Sequence, residues 1–582
     1  MKISYTIEMP DPSTQIFQIT VDLEEFSEES LTLVMPAWTP GSYLIRDFAR
    51  HVRHFSVTGE NNSVLDFIKK DKSSWKVNTS NQHKISVHYE IYAPEYPPRV
   101  THLDSSSASI NGTSAFMYIE GYKDQTLEIL IRPYGTWRIY TTLEKIAENR
   151  FRAINYDLLA DSPIEIGNSR FIEFKAAGKD HEIIIQGPGF IDENKLAGDF
   201  SKIVEGFAKM MGPLPYKKYQ FIIHTYAEPE SAGALEHLSS CSIVVPVNAL
   251  TDEKGYVGLL TTASHEFFHL WNVKRIRPLE LGPFNYKEEN YTNWLWFSEG
   301  ITDYYAKLNL LRSGLITKDR YYEMLSEVSN ILNLLPGTWK TTLTESSFDS
   351  WIKYYKPSPD GINSYSSYYL KGQYIGLFLN IKVVELTKGM KSLDDLFRIM
   401  FEKYKKDGRG FTEKDIIGAL KEITGSDFSD FFRSHIKGLE RINEDAELSK
   451  IGLVRVPAEK KSKRKTSGIV IRKEGEKFTV GGVLEGYPAF NSGINAGDQI
   501  IAVNSMRFVD GFMEKPLENN NVFLDSIYDG GTDAATFHYF RNGSLGSVEI
   551  KGLRDVFSGS RIVESEQQNL ETQKLRTKLM GF

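Results

Sequence analysis

The sequence predicts a multidomain α/β protein, and three observations carry that prediction: its length, a change of hydrophobic period partway along, and a return to alternation near the end. At 582 residues and about 150 residues per domain, roughly four folding units are expected. Hydrophobic residues make up 41% and charged residues 25%, an ordinary globular composition that excludes fibrous and wholly disordered classes. Lys and Arg number 69 against 76 Asp and Glu, a net charge of −7, so no global field gathers nucleic acid.

Residues 1–165 alternate with period two in Ile3, Tyr5 and Ile7, then Phe17, Ile19 and Val21, then Ile85, Val87, Tyr89 and Ile91, then Leu127, Ile129 and Ile131. That spacing makes half-buried strands and predicts a β-sandwich-like first domain. Within it, Pro36-Ala37-Trp38-Thr39-Pro40-Gly41-Ser42-Tyr43 signals a rigid loop, since two prolines fix their own backbone and Gly41 permits an otherwise strained turn. Residues 166–455 open with the strand-like Ile183-Ile184-Ile185 and Phe221-Ile222-Ile223, then turn helical from about Tyr256. An α+β unit passing into mostly α is expected there. Ser392 and Thr412 mark helix starts, each with an acid three places on.

Residues 456–467 hold a polar basic run and read as a linker. Strands return over 468–555, and 556–582 read as a tail that forms a short helix or frays. The lone Cys241 can form neither an internal disulfide nor a thiolate metal cage, which fits a reducing compartment. Glu8 and two prolines interrupt the opening residues before an apolar export region forms, and no apolar run reaches about 18 residues. A cytoplasmic protein without a membrane span is expected.

His265-Glu266-Phe267-Phe268-His269 is an H-E-x-x-H pattern. Residues four apart share a helix face, so both imidazoles can converge on one ion with Glu266 beside it, and neutral imidazole suits zinc. A catalytic zinc takes a third protein ligand and keeps one position open. Glu299 is the candidate, because an unpaired carboxylate among Trp294, Trp296 and Phe297 would be costly to bury. Asp303, four residues on, is the candidate to accept the outer N–H of His265, with a plain surface carboxylate as the alternative.

H-E-x-x-H followed by Glu299-Gly300-Ile301-Thr302 resembles the gluzincin metallopeptidases, and Trp271-Asn272-Val273-Lys274-Arg275-Ile276-Arg277-Pro278 resembles the glycyl aminopeptidase family in particular. The likeness extends to the run from Pro36 to Phe48 and to Gly410-Phe411-Thr412-Glu413, and so spans most of residues 1–550. It implies a thermolysin-like catalytic domain with one Zn2+ per chain on His265, His269 and Glu299, and Glu266 as catalytic acid and base.

Gly233-Ala234-Leu235-Glu236-His237 looks like the Gly-Ala-Met-Glu-Asn exopeptidase motif of aminopeptidase N, with His237 in place of Asn. The likeness implies that Glu236 pairs with a substrate's free ammonium; a solvated loop glutamate is the alternative. Tyr368-Tyr369-Leu370-Lys371-Gly372 resembles the Tyr-x-Lys-Gly of related aminopeptidases and implies Tyr369 as oxyanion donor, with Tyr368 the alternative by one position. Val483 to Asn504, where Gly497-Asp498 turns into an alternating strand, resembles a bacterial-type PDZ domain. Gly468 and Ile469 are then the candidate contacts for a C-terminal peptide ligand, against a PDZ that binds nothing.

Together these imply a zinc aminopeptidase acting on peptides with a free N-terminus and preferring Gly or Ala. Its rivals are an endopeptidase on the same metal site and a non-catalytic PDZ scaffold. A serine-protease reading finds no nucleophile-turn motif in the chain.

Overall fold

In the computed structural model, which describes residues 1–227, 232–405, 408–458, 464–515, 523–528, 533–567 and 569–581, the chain forms two compact units. The first takes Met1–Tyr291 with Met400–Thr412, the second Thr292–Ile399 with Glu413–Phe582. These limits differ from those drawn by periodicity. A change of period marks a change of element type, whereas a compact unit collects whatever shares a core. The limit at 165/166 falls inside the strand Ile164–Gly167.

In the first unit the early alternation builds strands. Lys2–Glu8 pairs antiparallel with Ile16–Glu24 and parallel with Leu127–Arg132, inside a seven-stranded sheet. Ser30–Val34 and Ser74–Asn78 pair in a separate four-stranded sheet. Because side chains alternate across a strand, Tyr5, Ile7, Ile19 and Val21 share one face, and they join Leu31, Leu33, Trp75 and Val77 in one continuous apolar core. A third, four-stranded sheet adds Leu103, Ala108, Ile110, Ile164 and Ile166 to that core, so the N-terminal β-rich domain is three sheets about a shared interior.

A five-stranded mixed sheet follows, in the order Arg170–Ala176, Lys179–Gln186, Lys218–Tyr226, Ser240–Pro246, Gly233–Glu236. The central strand Lys218–Tyr226 is buried along most of its length, which explains its unbroken Phe221-Ile222-Ile223 run: parallel-paired strands are covered on both faces. Helix Glu193–Met211 makes the crossover between Lys179–Gln186 and its parallel neighbour. Gly233–Glu236 is an antiparallel edge strand, with Glu236 opposite the buried Cys241.

Helices dominate the start of the second unit, among them Ile301–Arg312, Lys318–Leu334 and Tyr368–Leu386. The last is apolar nearly all round, as a core helix must be, and Ser367 caps it by accepting from the Leu370 N–H at 3.3 Å. At the predicted start beside Ser392, the Asp395 carboxylate accepts from the Ser392 backbone N–H at 3.0 Å, one half of a capping box.

The later strands Ile469–Glu474, Lys477–Val483, Gln499–Val503, Ala534–Arg541 and Ser544–Lys551 share one sheet, cored by Ile471, Val480, Ile500 and Phe537. Of the expected linker, 459–463 lie outside the described residues; on either side of them stand the strands Leu453–Pro457 and Arg464–Thr466. The tail takes its helical alternative. Ser560–Glu564 pairs with Leu453–Pro457, and helix Leu570–Met580, capped by Asn569, buries Leu579 and Met580 fully. Among the described residues no helix is long and apolar enough to cross a membrane.

Candidate metal and substrate site

Helix Glu253–Phe268 carries the H-E-x-x-H pattern at its C-terminal end. Asp252 opens it, accepting from the Gly255 N–H at 2.7 Å. His269 stands at the C-cap rather than inside the helix, and the backbone turns at once, with the Ile276 N–H reaching the Trp271 carbonyl at 2.7 Å. Val273 takes φ 140° within that turn, a conformation L side chains rarely adopt. The result places the Asn272 carbonyl 2.7 Å from His269 Nδ1.

A carbonyl only accepts, so Nδ1 carries the proton and Nε2 of the neutral ring offers its lone pair. That Nε2 lies 2.9 Å from His265 Nε2, with the rings crossed at 80°. His265 is 9% and His269 1% exposed. Two converging imidazole nitrogens shielded from water are a donor set for a divalent cation that favours nitrogen, and zinc is the foremost of these. The residues present fit the ion.

Glu266 and Glu236 stand beside His269. Glu236 is a buried strand residue, 4% exposed, rather than a solvated loop one. Glu236, Glu266 and His269 each offer an atom within 4.8 Å of the others. Two carboxylates so close and so dry repel unless a cation balances them. Lys274 is that cation, its Nζ 3.8 Å from Glu236 Oε1 and 2.7 Å from Asp161 Oδ1. Asp161 also accepts from the Leu238 N–H at 2.7 Å and lies 3.3 Å from His237 Nδ1.

Burial alone would raise the Asp161 carboxyl, but the Lys274 charge and the His237 hydrogen bond outweigh it and hold the group at about 2. Burial likewise works against the Lys274 ammonium, and there Asp161 and Glu236 win, lifting it above its ordinary value. The pocket thus keeps a permanent positive charge behind Glu236. Its other wall is bare backbone. Gly41 has φ 89°, and a Cβ there would stand 2.5 and 2.7 Å from the Glu236 carboxylate oxygens. Only glycine satisfies both demands. Trp38 anchors this loop through Nε1, which donates to the Asn285 carbonyl at 2.9 Å.

In the second unit, Glu299 lies in the wide turn Trp296–Gly300 that feeds helix Ile301–Arg312, an i→i+5 geometry often found at functional positions. It is 2% exposed. Asp303, half-buried, sits one turn on, and its charge acts on the likewise half-buried Lys307 a further turn along. Tyr369 opens the neighbouring helix Tyr368–Leu386. The two segments meet main chain to main chain: a Cβ on Gly300 would stand 2.5 Å from Gly372 Cα, and one on Gly372 2.6 Å from the Trp296 carbonyl oxygen.

Lys371 pins the same helix start by donating to the Thr338 and Thr341 carbonyls at 3.1 and 3.0 Å; burial pulls its ammonium down to about 8. Tyr368 is fully buried, whereas Tyr369 is only half so. Burial first, and the Glu299 charge second, push the Tyr369 phenol well above its ordinary value, so it keeps its proton and can donate. Gly468 and Ile469 lie at the start of strand Ile469–Glu474, their N–H groups donating to the Asp525 carboxylate at 3.0 and 2.9 Å.

The structure therefore brings His265, Glu266, His269 and Glu236 together within one unit, and Glu299, Asp303 and Tyr369 within the other. Asp161 escapes sequence reasoning altogether. Lys274 and Gly41 stand inside runs that sequence reasoning singles out, yet nothing local shows what they touch.

Two family models match the chain, that of the Peptidase M61 N-terminal domain over residues 4–168 and that of the M61 glycyl aminopeptidase over residues 258–375. The crystal structure of an aminopeptidase N family protein from Idiomarina loihiensis is similar with a TM-score of 0.90 at 27% identity, covering 99% of this chain and 100% of that one. An M1 zinc metallopeptidase from Deinococcus radiodurans is similar at a TM-score of 0.47 and 12% identity over 76% of this chain and 94% of its own. A mutant of that metallopeptidase bound to a Tyr-Ser-Ala substrate gives 0.44 and 12% over 73% and 91%. No curated protein matches the chain.

Proposed function

We propose, from the match to the two M61 family models and the likeness to an aminopeptidase N family structure, that the chain is a zinc aminopeptidase of the M61 glycyl aminopeptidase family, releasing small residues, Gly or Ala, from peptides with a free N-terminus. The observation that carries this reading is the buried meeting of His265, His269, Glu266 and Glu236 where one helix ends beside one edge strand. The preference for small residues is supported by the family description alone.

His265, His269 and Glu299 would hold one Zn2+ per chain. When bound, the ion supplies Lewis acidity to a carbonyl and lowers the pKa of water toward neutrality. Glu266 takes the proton of the attacking water on its carboxylate and hands it to the leaving amine, as a carboxylate within reach of both can. Glu236 pairs with the substrate ammonium and so counts from the N-terminus. Lys274 and Asp161 hold that carboxylate in place. Tyr369 donates its retained proton to the developing oxyanion, and Asp303 is the outer partner of His265. The C-terminal strands read as a PDZ-type module with Gly468 and Ile469 at its peptide contact, and the lone buried Cys241 supports a cytoplasmic setting.

A panel of aminoacyl chromogenic amides tests the whole reading. Glycyl and alanyl amides should be hydrolysed, activity should vanish on chelation and return with Zn2+, and N-acetylated controls should stay intact. Equal cleavage of acetylated substrates would end the exopeptidase assignment. Glu266→Gln should keep its metal, measured by elemental analysis, while kcat falls about 10²–10⁴-fold.

A further inference from the structure

Strand Ile469–Glu474 has Lys477–Val483 on one side and the short strand Phe523–Asp525 on the other. The latter runs antiparallel, with Ile471 opposite Phe523 and Val470 opposite Leu524. It therefore advances toward the loop that precedes Ile469–Glu474, and Asp525 arrives there. The Ser467 N–H donates to Asp525 Oδ2 at 2.8 Å. The N–H groups of Gly468 and Ile469 and the Thr466 hydroxyl donate to Oδ1 at 3.0, 2.9 and 2.8 Å.

Three consecutive backbone N–H groups closing on one carboxylate form an anion nest. Gly468 makes the nest possible, with φ 90° and the Tyr487 side chain packed where a Cβ would stand. One residue back, Leu524 is fully buried against Leu334, Val470 and Leu484. A strand added to a sheet edge, an apolar side chain in a pocket and a carboxylate in a nest at the C-terminal end are the contacts that a peptide terminus makes when it augments a sheet. Here the chain supplies all three itself.

We propose that the edge of Ile469–Glu474 is a docking groove for an extended peptide ending in an apolar residue with a free C-terminal carboxylate, and that Phe523–Asp525 is a tethered occupant which such a peptide displaces. The inference rests on the PDZ-type reading of this sheet and not on the metal chemistry. Burial pushes the Asp525 carboxyl above its ordinary value despite its donors, so the resident anion is held less well than in water, as a replaceable group should be. Self-occupancy divides apparent affinity by the fraction of molecules that are open; nine-tenths closed weakens a ligand about tenfold.

The test uses the full chain and two fluorescein-labelled heptapeptides ending in Phe-Leu, one a free acid and one an amide. Binding is read by anisotropy, and backbone hydrogen exchange is followed over residues 466–471 and 523–525. Asp525→Ala should bind the acid at least about tenfold tighter than the unaltered chain does, and tighter than it binds the amide. Leu524→Ala, which keeps the carboxylate, should show a smaller gain. Should Asp525→Ala fail to fold, the unaltered chain still decides: saturating acid peptide should speed exchange at Phe523, Leu524 and Asp525 while Ser467, Gly468 and Ile469 stay slow. Equal binding of acid and amide, or unchanged exchange at Asp525 under millimolar acid peptide, overturns the proposal. Failure of zinc to restore amide hydrolysis would sink the metal-site reading and leave this result untouched.

Discussion

Asp161 and Asp525 are both withdrawn from water, yet the protein holds them by opposite means. Asp161, with a fifth of its side chain exposed, has a full cation at 2.7 Å in Lys274. Asp525, fully buried, is held by three amides and a hydroxyl. Burial raises both carboxyls. At Asp161 the opposing charges more than cancel it and the group settles at about 2, whereas at Asp525 the dipoles fall short and the group stays above its ordinary value. One near cation converts a buried carboxylate into a fixed structural charge; here several neutral donors do not offset burial.

The largest expected effect attacks the cation. Asp161→Ala leaves Lys274 buried with only the looser Glu236 contact at 3.8 Å, and should destabilise the first unit by about 3–5 kcal/mol, read from urea unfolding. A loss below about 1 kcal/mol would mean that Glu236 alone carries the charge balance, and the contrast with Asp525 would weaken.

Acidification gives the next effect, and its sign differs between the two residues. The folded Asp161 value lies below its unfolded one, so its contribution is complete above pH 3.8 and is lost as pH falls toward 2, in total about 2 kcal/mol. The folded Asp525 value lies above its unfolded one, so stability is gained as pH falls through the folded value toward 3.8. In a urea series from pH 7 to 3, the stability gap between the unaltered chain and Asp161→Asn should begin to narrow near the acid end. The gap to Asp525→Asn should widen over the milder range. Parallel curves would show that the two carboxylates are held alike. The smallest effect is Asp525→Asn at neutral pH, where one amide donor turns against the Ser467 N–H and about 1 kcal/mol is lost.

The two carboxylates also mark how far the sequence can be read. Period-two runs such as Ile3, Tyr5 and Ile7 announce strands because alternate side chains face one core, and those residues do line it. His265, Glu266 and His269 are legible because helix geometry alone brings i and i+4 together. The abrupt end of that helix is not legible. No Gly or Pro follows His269 for several residues, and the turn rests on hydrogen bonds such as Ile276 N–H to the Trp271 carbonyl. Asp161 and Lys274 are 113 residues apart, and neither sits in a pattern that names the other. Gly41 is visible as a turn residue; its second reason, the Glu236 carboxylate against its backbone, exists only once the chain has folded. Gly468 and Ile469 are singled out by a resemblance, but nothing in Phe523-Leu524-Asp525 announces that Asp525 accepts from their N–H groups.

Gly300 and Gly372 give Glu299 and Tyr369 a common axle. Because peptide atoms touch there with no side chain between them, the gauge between the carboxylate-bearing turn and the phenol-bearing helix is set by atomic radii, which no rotamer can stretch. A methyl group at either glycine would lever both segments apart at once. The turn and the helix start can therefore shift only together, as a block.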